Sequence, residues 1–235
     1  MENATKSDAT TIVHRLWARA DEFGSRPALR YREIGKWCEI SWEEYRARVL
    51  DVAGGLQSLG VVDGDRVCLL SHNQPNWVIG DLGILASGAA SVPAYPNSIP
   101  SQIAYLLQHA EAKVILAANA EQLRKIQQVW ADCPALQVVV LLDGDVSLVD
   151  GEKIIGLEDL MAKGRAHGTD AIEAAITGGG FDPEKMATII YTSGTTGPPK
   201  GAMLSHKNLV FEADAIQAVA QLESEDSTLS FLPLS

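Results

Sequence analysis

Residues 186–205 read MATIIYTSGTTGPPKGAMLS, and this stretch decides the fold. Its first six residues form an apolar run typical of a buried β-strand. Apolar character resumes at 202–204, after a loop of glycine, serine, threonine and proline. Ser205 can then cap a helix that we expect from about 206 to 222. The sequence therefore predicts a polar loop that joins two strand-like segments.

Similar apolar runs recur upstream, in alternation with helical patterns. Runs that are apolar throughout predict strands covered on both faces, as in a parallel sheet. The predicted strands are 66–71, 113–117, 137–142 and 186–191, with a further apolar run at 89–92. The predicted helices are 12–23, 42 to a stop at Gly60, 77–85, 101–109 and 120–130. This regular succession indicates an α/β fold with mostly parallel strands flanked by helices.

Three further segments have a local or weaker sequence pattern. The runs 28–31 and 37–40, on either side of Ile34-Gly35, predict a hairpin. Ser41 and Glu44 form a capping-box pattern, in which each side chain can satisfy a free backbone N–H. The interval 143–181 is the least regular part, and we expect a surface excursion there with one short helix at about 157–166.

Composition narrows the possible functions. The chain has 235 residues, 46% of them hydrophobic, and its net charge of −11 argues against a nucleic-acid-binding surface. Cys38, Cys68 and Cys133 lie far apart, which predicts neither a disulfide framework nor a zinc site and favours a reducing, cytoplasmic location. Prolines interrupt the apolar stretch at 82–110, so we expect no transmembrane segment, while peripheral membrane contact stays open.

The loop between the two strands combines residue types that suit a phosphate ligand. Its glycines let main-chain N–H groups approach a ligand closely, and its hydroxyls add side-chain donors. Lys200 supplies a flexible cation, and Pro198 and Pro199 stiffen the chain before it. The candidate binding residues are Thr192, Ser193, Gly194, Thr195, Thr196, Gly197 and Lys200. Together they predict a concave, donor-rich nest for several phosphate oxygens.

The spacing of these residues excludes two better-known nucleotide loops. The P-loop needs a Gly-Lys pair that opens a helix, whereas here strand-like residues follow Lys200. A Gly-x-Gly-x-x-Gly fingerprint after an early strand is absent as well. The plain alternative is a connector that binds nothing, since loops of this composition often have no ligand.

The residue order at 192–201 resembles the phosphate-binding signature of the adenylate-forming superfamily, which includes acyl-CoA synthetases, luciferases and peptide-synthetase adenylation domains. Segments 26–29, 41–45 and 64–67 resemble the start of that family's large domain. Segments 92–96, 102–106, 112–114 and 231–235 are similar to its long-chain acyl-CoA synthetase branch. The resemblance covers nearly the whole chain.

The resemblance implies an activity and its cofactors. Such enzymes use ATP and Mg²⁺ to convert a fatty acid to an acyl-adenylate, and coenzyme A then takes the acyl group. Thr192 would lie near the magnesium, and Lys200 would balance negative charge on the β- and γ-phosphates. The family's main catalytic residues lie beyond Ser235. We therefore expect residues 1–235 to be the amino-terminal part of an incomplete large domain, without the small carboxy-terminal domain and with little activity alone.

Other functions remain open at this stage. An acyl-AMP ligase that loads a carrier protein uses the same chemistry, and a non-catalytic nucleotide-binding remnant would retain only the loop. Missing strands would leave a sheet edge exposed, which predicts self-association. We expect His206 in the first turn of its helix and His72 in a simple turn, without catalytic roles.

Overall fold

Strands and helices alternate along the computed structural model, which describes residues 11–144, 153–192 and 198–234. The strands are β1 (Pro27–Glu33), β2 (Lys36–Ser41), β3 (Arg66–Leu70), β4 (Ala90–Ala94), β5 (Val114–Ala117), β6 (Val138–Leu141), β7 (Ile154–Gly156), β8 (Met186–Thr192) and β9 (Lys200–Ser205). The helices are α1 (Ile12–Phe23), α2 (Trp42–Ser58), α3 (Pro75–Ala86), α4 (Pro100–His109), α5 (Ala120–Gln127), α6 (Leu157–His167), α7 (Asp170–Thr177) and α8 (His206–Ala220), with a short 3₁₀-helix at Trp130–Asp132.

Seven of the described strands form one sheet in the order β7-β6-β5-β3-β4-β8-β9. All neighbouring pairs are parallel except β8 and β9, which are antiparallel. The predicted α/β architecture with mostly parallel strands is confirmed. Because the parallel strands end on the same side, their carboxyl ends form one edge, called here the carboxyl edge.

The core lies on both faces of this sheet. Along β3, Val67 and Leu69 belong to one apolar cluster, and Cys68 and Leu70 belong to the other. The first cluster includes residues of α1, α2, α3, α6 and α7, and the second includes residues of α4 and α5. Successive strand residues point to opposite faces, so only a strand that is apolar throughout can satisfy both clusters.

The interval 143–181 is more regular than its sequence pattern indicates. Within its described part, β7 extends the sheet beside β6, and both α6 and α7 bury apolar side chains. Helix α6 packs closely on α2 through glycines. A Cβ atom on Gly164 would stand 1.9 Å from the carbonyl oxygen of Asp51, and one on Gly55 would stand 2.3 Å from that of Leu160. The predicted surface excursion therefore contains a packed helix.

Local signals near the amino-terminal end produce the expected elements. β1 and β2 form an antiparallel hairpin, and Ile34 and Gly35 turn the chain with φ of 45° and 80°. Ser41 caps α2, since its hydroxyl accepts the Glu44 N–H at 3.1 Å. The Glu44 carboxylate instead accepts from Arg48 at 2.6 Å, so only half of the predicted capping box forms.

None of the described helices has the length and apolar character needed to cross a membrane.

Candidate functional site

The candidate loop is carried by the β8–β9 hairpin. Ser91 of β4 is the partner of Thr188 in β8, and the two strands are parallel, so β8 ends at the carboxyl edge. Strand β9 then returns antiparallel, with Thr192 and Lys200 as the pair nearest the loop. Both of these residues are exposed. Ligands of open α/β sheets bind outside the carboxyl ends of the strands. The hairpin places Thr192 and Lys200 in that region.

Two of the predicted binding residues, Thr192 and Lys200, are thus cross-strand neighbours at the base of the loop. A hydroxyl from Thr192 and an ammonium from Lys200 offer complementary contacts to the oxygens of a polyphosphate. The other five predicted residues, Ser193, Gly194, Thr195, Thr196 and Gly197, lie outside the described residues.

The chain segments on either side of the loop, the end of β8 and the residues around the start of β9, are called here its stems. Helix α4 contacts both stems through an aromatic cluster of its own Tyr105 and His109 with Tyr191 of β8. The Tyr105 hydroxyl donates to the carbonyl oxygen of Pro199 at 2.8 Å, and the Tyr191 hydroxyl lies 2.7 Å from Nδ1 of His109. The rings of Tyr105 and His109 stack at 5.4 Å, and Tyr191 meets both edge-on. One turn of α4 therefore holds the end of β8 and the residue before β9.

The Tyr191 hydroxyl is neutral at physiological pH, as tyrosine hydroxyls usually are, and its surroundings favour that form further. Burial raises the pKa of Tyr191, and the neighbouring Tyr105 adds to that effect. The hydroxyl therefore stays a neutral hydrogen-bonding group at physiological pH. It orients the stem of the loop rather than supplying charge to a ligand.

Gly201 has a packing role that the sequence did not indicate. We expected the loop glycines to let the backbone approach a ligand. A Cβ atom on Gly201 would stand 2.7 Å from Cγ2 of Ile189 and 3.3 Å from Cζ of Tyr191. Because Gly201 has no side chain, the ring of its cross-strand partner Tyr191 has room beside it. The φ angle of Gly201 is not positive, so a left-handed backbone conformation does not explain the glycine. Close packing against Ile189 and Tyr191 is therefore a second reason for a glycine at this position, and the expected approach to a ligand stays a prediction.

The two histidines named in the sequence analysis lie where their sequence context predicts. His206 is the first residue of α8, and its N–H donates to the carbonyl of Lys185 at 3.1 Å. It lies at the end of β9 away from the loop, and burial lowers its pKa to about 4. His72 is exposed in the turn after β3. The first-turn position of His206 and the turn position of His72 are confirmed.

The sequence patterns did not single out Tyr105, His109 and Asn73. Tyr105 and His109 are four residues apart and so share one face of α4, a spacing that the sequence does contain. Asn73 follows β3 and hydrogen-bonds residues about 160 positions later. No local pattern reveals such a long-range contact.

Comparisons with known proteins agree on one family. The family model described as AMP-binding enzyme matches residues 16–235. The rat long-chain-fatty-acid–CoA ligase ACSBG1 is 30% identical over 228 residues, which are 95% of this chain and 31% of that protein. FadD15, a long-chain-fatty-acid–CoA ligase of Mycobacterium tuberculosis, is 34% identical over 203 residues, 86% of this chain and 32% of that protein.

A third relative has a different acyl acceptor in its name. The chloroplastic long-chain-fatty-acid–[acyl-carrier-protein] ligase AEE15 of Arabidopsis thaliana is 28% identical over 239 residues, 98% of this chain and 33% of that protein. The chain therefore spans about a third of the length of the curated relatives it matches.

Solved structures share the fold. The amino-terminal domain of FACL13 from Mycobacterium tuberculosis superposes with a TM-score of 0.76 at 23% identity, over 95% of this chain and 51% of that one. A fatty acyl-adenylate ligase from L. pneumophila, solved with acyl adenylate and pyrophosphate, gives 0.72 at 21% identity, over 96% and 36%. With its parallel sheet, its loop signature and a family match from residue 16 onwards, the chain belongs to the AMP-binding enzyme family and corresponds to the amino-terminal portion of its fatty-acid ligase relatives.

Proposed function

We propose that this chain supplies the phosphate-binding part of an AMP-forming fatty acid ligase, in which loop residues 192–200 bind the β- and γ-phosphates of ATP. The observation that carries this proposal is the pairing of Thr192 with Lys200 at the base of the loop. Both residues are exposed, and both stand at the carboxyl edge of the sheet. An arrangement of this kind accepts an anionic ligand from solvent.

The residues present fit a magnesium–polyphosphate complex. Mg²⁺ prefers oxygen ligands and is commonly shared between substrate phosphates and one or two protein oxygens. When bound with ATP, it would neutralise part of the phosphate charge. Thr192 is the residue proposed to lie beside it, through its hydroxyl oxygen.

The task of the loop is electrostatic. A carboxylate must approach an α-phosphate, so two anions have to be brought together while pyrophosphate departs. The Lys200 ammonium offsets negative charge on the leaving group, and main-chain N–H groups of the loop donate to its oxygens. Tyr105 and His109 hydrogen-bond Pro199 and Tyr191, and so help to keep Lys200 and Thr192 in place before the ligand arrives.

The substrate class is proposed from the relatives. Those with the higher identities are named as ligases of long-chain fatty acids with coenzyme A, which favours a long-chain fatty acid and coenzyme A here. Transfer to a carrier protein is the second candidate, favoured by the relative from Arabidopsis thaliana. Catalysis would also require parts of the longer relatives that this chain does not span.

The loop proposal is tested by calorimetric titration of MgATP into the 235-residue chain. Lys200→Ala should weaken binding by about tenfold or more, the usual loss for a hydrogen bond to a charged group. Lys207→Ala is the matched control, because that lysine pairs with Glu184 at the far end of the hairpin. Equal MgATP affinity in wild type and Lys200→Ala would overturn the assignment.

A second assay tests whether the 235-residue chain catalyses acyl-adenylate formation on its own. We expect the 235-residue chain to give little or no ATP–pyrophosphate exchange with a fatty acid, even if it binds MgATP. Robust exchange would contradict this expectation. The non-catalytic alternative predicts a different pair of results. The 235-residue chain would bind MgATP, but a longer form of this protein, of the same length as its relatives, would form no acyl-adenylate.

A further inference from the structure

The turn after β3 stands level with the proposed phosphate loop. Leu70, the last residue of β3, is the partner of Ala94 in β4. The register between β4 and β8, in which Ser91 pairs with Thr188, places Ala94 opposite Tyr191 when it is continued. Two strand spacings of about 4.8 Å then separate the end of β3 from the end of β8. The end of β3 and the end of β8 therefore lie about 10 Å apart along the carboxyl edge, and residues 71–74 follow directly after β3.

Asn73 in this turn contacts the chain at 230–234 through both ends of its carboxamide. Its Nδ2 donates to the carbonyl oxygen of Leu232 at 2.6 Å and to Oγ of Ser230 at 3.3 Å. Its Oδ1 accepts the N–H of Leu234 at 3.0 Å. A single side chain thus satisfies a main-chain acceptor and a main-chain donor, as a neighbouring strand would.

Few other polar contacts reach this segment. Among hydrogen bonds and ion pairs of the described residues, the other contact that joins residues 223–234 to the rest of the fold is Arg26 with Glu225 at 3.6 Å. Both of those side chains are largely exposed, and an exposed ion pair contributes little. Leu229, Phe231 and Leu232 are themselves exposed, so apolar burial does not hold the segment either.

We propose that Asn73 is a positioning residue, which fastens residues 230–234 across the carboxyl edge so that they form a wall of the nucleotide site beside the loop stem. The inference rests on the proposed function, since the wall matters only if the loop binds nucleotide. The carboxamide is suited to this task because it combines a donor and an acceptor on one short side chain. A carboxylate of the same shape would set an oxygen against the Leu232 carbonyl.

The attachment itself is tested by amide hydrogen exchange on the 235-residue chain without nucleotide. Asn73→Ala should raise the exchange rate of the Leu234 N–H by at least about fivefold, the effect of losing one hydrogen bond. Asn73→Asp should do the same despite its similar shape. Asn76→Ala is the control, because Asn76 lies in the same region and instead donates to the carbonyl of Leu142. Unchanged Leu234 exchange in Asn73→Ala would overturn the attachment.

The positioning role is tested by calorimetric titration of MgATP into the same variants, with thermal melting as a check on folding. Asn73→Ala should weaken MgATP binding about threefold or more relative to Asn76→Ala, at a similar melting temperature. Equal affinities in the two variants would overturn the positioning role. If wild type binds no MgATP, the proposed function fails and the positioning role with it, while the exchange result still decides whether Asn73 holds the segment.

Discussion

Removal of one oxygen atom from Tyr105 tests how far the loop depends on α4. Tyr105→Phe loses the donor to the Pro199 carbonyl but keeps the ring that stacks on His109. We expect MgATP affinity to fall about three- to fivefold, because a loop stem without its hydrogen bond samples more conformations. The amides of Lys200 and Gly201 should also exchange faster.

The control is Tyr31→Phe, which deletes the same atom in the β1–β2 hairpin. It should leave both the affinity and the exchange rates unchanged. If Tyr105→Phe binds MgATP as tightly as this control, α4 does not position the loop.

Asp81 gives a pH-dependent prediction. Burial raises its pKa to about 6 despite the nearby Ser91 hydroxyl. The folded protein therefore holds this proton more tightly than the unfolded chain, whose aspartates titrate near 3.8. The resulting stabilisation is present below pH 3.8 and is lost as pH rises through 6. Asp81→Asn, which stays neutral, should therefore unfold with a free energy about 1–2 kcal/mol above wild type at pH 7.5, and near wild type at pH 4.

Urea denaturation at the two pH values measures this difference. Comparison of the two proteins at each pH cancels the contribution of His206, whose lowered pKa acts in the opposite direction over the same range. A difference in unfolding free energy that does not change between pH 4 and 7.5 would refute the assignment.

The candidate site could be predicted from the sequence only in part. Thr192 and Lys200 belong to one contiguous motif, so their residue types and order are enough to indicate a phosphate ligand. Tyr105 and Asn73 act on segments 94 or more positions away. Their partners depend on which strands become neighbours, and that order is decided by packing of the whole sheet. The packing role of Gly201 depends on the same neighbours.

At the scale of elements, the predictions succeed where a local signal exists. Helix α1 has the predicted bounds, and the hairpin turns at Ile34-Gly35 as its sequence indicates. The predicted helix at 157–166 also forms, but its burial was missed. Helix α6 buries Leu157, Leu160 and Met161 and also approaches α2 by close backbone packing at Gly164. A glycine inside a helix reads as a weakness in sequence, so this close packing was not expected.

This packing predicts whether a substitution at Gly164 stabilises or destabilises the protein. Alanine favours a helix over glycine by about 1 kcal/mol, so Gly164→Ala would stabilise an isolated α6. In the protein, the added carbon would meet the Asp51 carbonyl, and α2 and α6 would have to separate. We expect the free energy of unfolding to fall by about 3 kcal/mol, as overpacking in a tight interface does.

Thermal or urea unfolding measures this loss, with Ala166→Gly on the exposed side of α6 as the control. The control should lose about 1 kcal/mol from helix propensity alone. A Gly164→Ala protein at least as stable as wild type would show that the two helices tolerate the wider spacing.

At the scale of the whole molecule, β9 is the edge strand at one end of the described sheet, and exposed apolar side chains lie on it and near it. β9 has β8 on one side and no described strand on the other. Met203 on β9 and Phe211 on α8 are 72% and 71% exposed. A free edge beside apolar surface is a site for pairing with a second chain. We expect the measured mass to rise with protein concentration.

Light scattering after size exclusion tests this expectation. Met203→Lys should shift the concentration dependence toward monomer, because it adds charge to the exposed face of the edge. Val62→Lys, at another exposed apolar residue, should not. A monomer at every concentration in wild type would contradict the prediction.

The order of the strands along the chain also has a consequence for synthesis. β3, β4, β5 and β6 lie within residues 66–141, whereas β8 begins 45 residues later and inserts next to β4. At ~5–20 residues per second, a ribosome releases β8 roughly 2–9 s after β6. Four parallel strands with their helices can therefore fold first, and the hairpin that carries the proposed phosphate loop then joins a sheet that has already formed. A chain arrested before residue 186 should be able to form these four strands and their helices while still lacking the candidate site.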